Sequence, residues 1–180
     1  MKKLLYISVA LLLAACHKDD PTPSGANTFS CQIDGQDFTP YLAPVLITPQ
    51  KALQANRTNY QGGIFIHARN SYNELELYVG KSNYSGTHRL SYARVPMPYN
   101  TNPNSYAYYE SIPALQPGQD PYNPPPTSKY YTDNTNVGTI TFTRFDTVAH
   151  VAGGTFEYTA REAATGKLVH VTNGKFDVKF

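Results

Sequence analysis

Residues 137–145 read Val-Gly-Thr-Ile-Thr-Phe-Thr-Arg-Phe, with Ile140 and Phe142 alternating against threonines. The same period of two runs through Val151 to Arg161, where Phe156, Tyr158 and Ala160 alternate with Thr155, Glu157 and Thr159. It returns in Leu168 to Phe180, with Phe176, Val178 and Phe180 set against Lys175, Asp177 and Lys179. Successive side chains of a strand point to opposite faces, so each run buries one face and wets the other. Asp146-Thr147 and Ala163-Ala164-Thr165-Gly166 are short, turn-forming connections. Three strands joined this way make an antiparallel meander.

The pattern continues toward the N-terminus. Glu74 to Val79 puts Leu75, Leu77 and Val79 inward and Glu74, Glu76 and Tyr78 outward. Gly62 to Arg69 places Ile64, Ile66 and Ala68 on one face and Phe65, His67 and Arg69 on the other. Asn70 to Asn73 has the length of a hairpin loop between them. Phe29, Cys31 and Ile33 alternate before Asp34-Gly35, a pair suited to the positive φ angles of a type I′ turn. Thr87 to Tyr92 is a further strand, Tyr41 to Thr48 a strand interrupted by Pro44, and Lys51 to Ala55 one helical turn. The fold expected is all-β, a single antiparallel β-sandwich or partly open β-barrel of about eight to ten strands over residues 28–180. Its core should hold Phe29, Ile33, Leu75, Leu77, Ile140, Phe142, Phe156, Tyr158, Phe176 and Val178.

Residues 93–131 break the pattern. Nine of the fourteen prolines fall here, with Tyr99, Tyr106, Tyr108, Tyr109, Tyr122, Tyr130 and Tyr131. Ser105 to Glu110 and Ser128 to Thr132 can pair as strands, leaving Ser111 to Thr127 a long loop. Proline lacks a ladder donor, so that loop is not central sheet. Prolines reduce the entropy of a loop before it binds anything, and tyrosines supply flat apolar area with a polar tip. The candidate ligand-binding residues are therefore Tyr99, Tyr106, Tyr108, Tyr109 and Tyr122, suited to a glycan or an envelope protein. Tyr106 and Tyr108 share one side of their strand, so one of Tyr108 and Tyr109 should face solvent.

The first sixteen residues have a different purpose. Met1-Lys2-Lys3 is basic, Leu4 to Leu13 almost wholly apolar, and Leu13-Ala14-Ala15-Cys16 closes the run. As a helix, Leu4 to Ala15 spans only about 18 Å, short of the roughly 30 Å of a bilayer core. The anatomy is that of a cleaved secretory signal, residues 1–15. Residues 16–27 follow as a flexible tether, able to reach about 40 Å if fully extended. Removing Lys2 and Lys3 leaves 13 basic and 13 acidic residues, a net charge of zero. No cationic footprint for nucleic acid remains.

Leu-Ala-Ala-Cys resembles the lipobox of bacterial lipoproteins, which implies that Cys16 becomes the mature N-terminus and carries lipid. Two or more acyl chains anchor a protein stably where one is marginal. Lys18-Asp19-Asp20 is similar to the surface-export signal of Bacteroidota lipoproteins. That resemblance implies outer-membrane anchoring with the domain on the cell surface, the periplasmic face being the alternative. The C-terminal meander and the first hairpin are similar to small Bacteroidota lipoprotein domains of unknown function, which implies fold and address but no activity. Asp146-Thr147-Val148 resembles the Asp-Thr-aliphatic O-glycosylation motif of such proteins, with Thr147 as acceptor; a plain Asp-Thr turn is the competing reading.

Motifs for chemistry are missing. With Cys16 lipidated, Cys31 has no disulfide partner and reads as a small buried hydrophobe. His67, His88, His150 and His170 are scattered singly, though neighbouring strands can bring His150 and His170 together. No metal site or cofactor is expected, and Glu74 and Glu76 read as a solvated strand face. No Gly-x-Ser-x-Gly, Walker or His-Glu-x-x-His motif occurs. The reading is a non-enzymatic binding or structural module, with a hydrolase of unrecognised site as the alternative.

Overall fold

The computed structural model describes residues 22–42, 51–58, 62–80, 84–93, 104–120 and 122–180. They contain eleven strands: β1 (Thr28–Ile33), β2 (Gln36–Phe38), β3 (Leu53–Arg57), β4 (Ile64–Arg69), β5 (Asn73–Val79), β6 (Gly86–Leu90), β7 (Tyr106–Ser111), β8 (Ser128–Tyr131), β9 (Gly138–Asp146), β10 (Val151–Glu162) and β11 (Leu168–Lys179). Every pairing is antiparallel. The main path runs β2-β1-β11-β10-β8-β7-β5-β4-β3. One edge of β10 is shared, with β9 along Val151 to Tyr158 and β8 at Arg161 and Glu162, so the sheet forks there. β6 lies on the far side of β9. The whole curls into a half-barrel, which brings β3 against β11.

The class and the meander β9-β10-β11 are as the alternation predicts; the strand count is higher. Part of the difference is β3. Lys51 to Ala55, expected as a helical turn, instead leads into a strand that pairs in register from Leu53↔Ala68 to Arg57↔Ile64. Pairing with β4 satisfies backbone groups that a bare sheet edge would leave open. Tyr41 and Leu42 lie outside any strand, and the rest of the strand expected at 41–48 falls outside the described residues.

Local chemistry sets the turns. Asp34 and Gly35 take φ of 47° and 81°, the left-handed pair that a type I′ hairpin requires. The Asp34 carboxylate also accepts a 2.8 Å hydrogen bond from the His170 amide, tying the first hairpin to β11. At Gly154, beside a bulge that leaves Thr143 of β9 unpaired, a Cβ would run into the Thr141 carbonyl, so only glycine fits.

All ten predicted core residues are buried in one cluster on the concave face. Its aromatic centre joins Phe29, Phe142, Phe156 and Phe176, with the Phe29 and Phe156 rings 5.0 Å apart. Cys31 is buried among them, and burial pushes its thiol up to about 12, where it is inert.

The convex face differs along the sheet. Over β6, β9 and β10 it carries threonines, with the Thr87 and Thr141 hydroxyls 2.8 Å apart. Over β4, β5, β7 and β8 it is covered: Tyr78, Tyr106 and Tyr108 form a second buried cluster, with Phe65 and Tyr131 packed against it. The sequence expectation that Glu76 and Tyr78 point to water is therefore corrected, since both are buried. Alternation assigned their face correctly, but that face is buried, with aromatic rings of neighbouring strands packed together on it.

The stretch read as a flexible tether has structure in its last residues. The Asp177 carboxylate accepts hydrogen bonds from the amides of Ser24, Gly25 and Ala26 and from the Ser24 hydroxyl. Arg144 donates to the Pro23 carbonyl at 2.6 Å, and Lys179 N–H to Asn27 Oδ1 at 3.0 Å. The folded domain thus begins near Pro23, not at Thr28.

Candidate functional site

The tyrosines proposed from sequence divide sharply. Tyr106 and Tyr108 do share a face, but it is the covered convex one, where the Tyr78 and Tyr106 rings stack at 5.3 Å and Tyr108 packs on Tyr131 at 5.2 Å. The Tyr108 hydroxyl donates to the Glu110 carboxylate. Tyr109 points the opposite way, into the main core, and donates to Asn73 Oδ1 at 2.7 Å. Burial pushes its hydroxyl pKa up. The expectation that one of Tyr108 and Tyr109 faces solvent is corrected, because β7 is buried on both sides. Tyr122 alone of the described candidates is open, at 95% exposure. It sits in the 112–127 connection with Leu115, also exposed, and its amide donates to Asp120 Oδ1. Tyr99 lies outside the described residues, as do Cys16, Lys18, Asp19 and Asp20.

Thr147 is exposed in the β9–β10 turn. Asp146 Oδ1 accepts hydrogen bonds from the Val148 and Ala149 amides, a side-chain turn closure. Those amides and Arg144 hold the Asp146 carboxyl below its usual range. His150 and His170 do not meet: Val151 pairs with Lys179 while His170 pairs with Thr159, at opposite parts of the β10–β11 ladder.

Sequence reasoning missed a different grouping. β4 and β5 pair with His67 opposite Glu76 and Arg69 opposite Glu74. β5 and β7 pair with Glu76 opposite Tyr108 and Glu74 opposite Glu110. His67, Glu74 and Glu76 consequently lie together on the convex face, each offering one ligand atom within 4.8 Å of the others. His67 Nε2 stands 3.2 Å from Glu74 Oε1. Glu76 is only 3% exposed, and His67 and Glu74 are half-buried. Phe65 stacks on the His67 ring, its centroid 6.2 Å away. Lys129 approaches Glu110 at 3.9 Å. The signal was present in the loop length: a hairpin closing at Asn70 to Asn73 sets Arg69 against Glu74, and the ladder then sets His67 against Glu76.

An open groove of about 880 Å³ lies beside the docked N-terminal segment, bounded by Pro23, Ser30, Pro40, Thr155 and Lys175. Its one carboxylate, Asp177, is occupied by the backbone amides described above. Burial works to raise the Asp177 pKa, but those amides outweigh it and the net shift is downward. No protein family matches this chain, and neither a curated protein nor a solved structure matches it.

Proposed function

We propose that this chain is an exported lipoprotein, anchored in the outer membrane through Cys16, whose β domain is a non-catalytic binding module on the cell surface. The anchor rests on Leu13-Ala14-Ala15-Cys16 after an apolar run, and the surface address on Lys18-Asp19-Asp20. Only six residues lie between Cys16 and Pro23, at most about 25 Å of extended chain. The domain is thus held near the bilayer with its groove on the anchored side.

The observation that carries the binding role is the 112–127 loop. It presents Tyr122 almost wholly to solvent, with Leu115 exposed beside prolines that limit its freedom. An exposed aromatic braced in this way suits the apolar face of a sugar or a protein partner. The buried tyrosines of β7 serve the fold and take no part. Intact-mass measurement should find lipid on Cys16, and Cys16→Ser should leave unanchored or unprocessed precursor. Protease treatment of whole cells should remove the domain; protection would place it on the periplasmic face. A glycan array and an envelope pull-down compare wild type with Tyr122→Ala/Leu115→Ala. Binding should fall at least tenfold with unchanged circular dichroism, and equal binding would remove the loop from the proposal.

A further inference from the structure

We propose that His67, Glu74 and Glu76 form a binding site for a divalent transition-metal ion, with zinc as the natural test ion. The inference goes beyond the loop-binding role and does not depend on it.

Position comes first. Two neighbouring strands of a fixed ladder supply all three side chains, with His67 and Glu76 directly opposite and Glu74 two residues along the same face. No loop has to order before a metal is bound. Distance comes second. Tetrahedral ligands at about 2.0–2.1 Å from zinc lie roughly 3.3 Å from one another. His67 Nε2 and Glu74 Oε1, at 3.2 Å, already have that separation. The Glu76 ligand atom lies within 4.8 Å of both.

Chemistry comes third. Glu76 is a buried carboxylate on a face that also carries Glu74 and Glu110, the latter opposite Glu74. Lys129 reaches Glu110 but at 3.9 Å and from an exposed position. Arg69, opposite Glu74 in the ladder, also supplies positive charge on that face, so what favours a compact cation is the grouping of two carboxylates and an imidazole, three ligand atoms close together. The imidazole then selects among cations: calcium and magnesium take oxygen ligands, whereas nitrogen with carboxylate suits zinc and its neighbours. Three protein ligands leave a fourth position for water. Phe65, stacked on His67, limits the ring's rotation and so the orientation of its ligand atom.

The test uses the untagged full chain in detergent, stripped of metal by a chelator. Calorimetric titration with zinc should show one site per chain, with calcium and magnesium at least a hundredfold weaker. His67→Ala and Glu74→Gln, at half-buried positions, should each weaken zinc binding at least tenfold while circular dichroism stays unchanged. His170→Ala, on the exposed part of β11, should leave it intact. Glu76→Gln should abolish zinc-induced thermal stabilisation. Zinc binding that survives both His67→Ala and Glu74→Gln, or that is lost in His170→Ala, overturns the site. So does calcium binding as tight as zinc. Absence of saturable zinc binding overturns it too, and leaves His67–Glu74 a side-chain contact without a metal.

Discussion

The C-terminal meander and the β4–β5–β7–β8 region share one sequence period but end in different environments. In the meander, Phe156 and Tyr158 go to the core while Thr155 and Glu157 stay in water. In β5, Leu75 and Leu77 go to the core, yet Glu76 and Tyr78 on the opposite face are buried as well. Period two therefore tells which residues share a face. Whether that face meets water depends on how it is packed, and in the second region aromatic rings from neighbouring strands pack against one another on it. From Thr155 onward the meander is a one-sided sheet, its outer face being covered only at Val151 and Gly153, under the 22–26 segment; the other region is sheet with two interiors. The second interior is where carboxylates and a histidine collect.

The strongest way to break this comparison is to cut one large ring from each region. Phe156→Ala, in the concave core, should cost about 3–5 kcal/mol. If the convex cluster is a true interior, Tyr108→Ala should cost about as much, near 3–5 kcal/mol. Denaturant melts of both variants decide it, and a Tyr108→Ala cost below about 1 kcal/mol would make the convex cluster a surface feature.

A smaller effect sharpens the account of the meander's edge. Asp177→Ala removes the acceptor for three amides of the 24–26 segment and should cost about 1.5–3 kcal/mol. Hydrogen exchange should accelerate at Ser24, Gly25 and Ala26 and stay slow in β10. Unchanged exchange there would mean the segment is held by Arg144 and Lys179 alone.

Acid should show a weaker effect between the two regions. The Asn136 and Thr135 amides, the Asn136 side chain and Arg161 hold Asp133, in the loop from β8 to β9, at about 2, against partial burial. A carboxylate held below its unfolded value stabilises the fold above roughly pH 4. That contribution is lost as pH falls through about 2. The group is partly exposed, so the loss should stay below about 1 kcal/mol. Asp133→Asn should flatten the acid limb of a stability–pH curve, and an unchanged limb would remove Asp133 from the account. The smallest effect belongs to the wet face: Thr155→Ala should change stability by less than about 0.5 kcal/mol. A larger loss would show that the outer face is covered at Thr155 as well as at Val151 and Gly153.

The concave core was legible because it depends on local order alone. Phe29, Ile140, Phe142, Phe156 and Phe176 stand at alternate positions of uninterrupted runs, and turn residues such as Asp34-Gly35 mark where each run ends. β3 was not legible, because Leu53 to Arg57 has little apolar pattern and is recruited by the open edge of β4. The 24–27 segment looks like a linker in composition, and Asp177 and Lys179, more than 150 residues on, give it a place.

The sequence by itself determined the β class, the facing of side chains in β1, β4, β5 and the C-terminal meander, and the order of that meander. Each follows from a backbone whose side chains alternate and from residues that tolerate turns. Only the tertiary structure decided that the Tyr106 and Tyr108 rings are interior, that Tyr122 is the exposed one among the described candidate tyrosines, and that His67 meets Glu74 and Glu76. These are consequences of ladder register and of layering. Both bring together residues distant in the chain, and no local pattern records them.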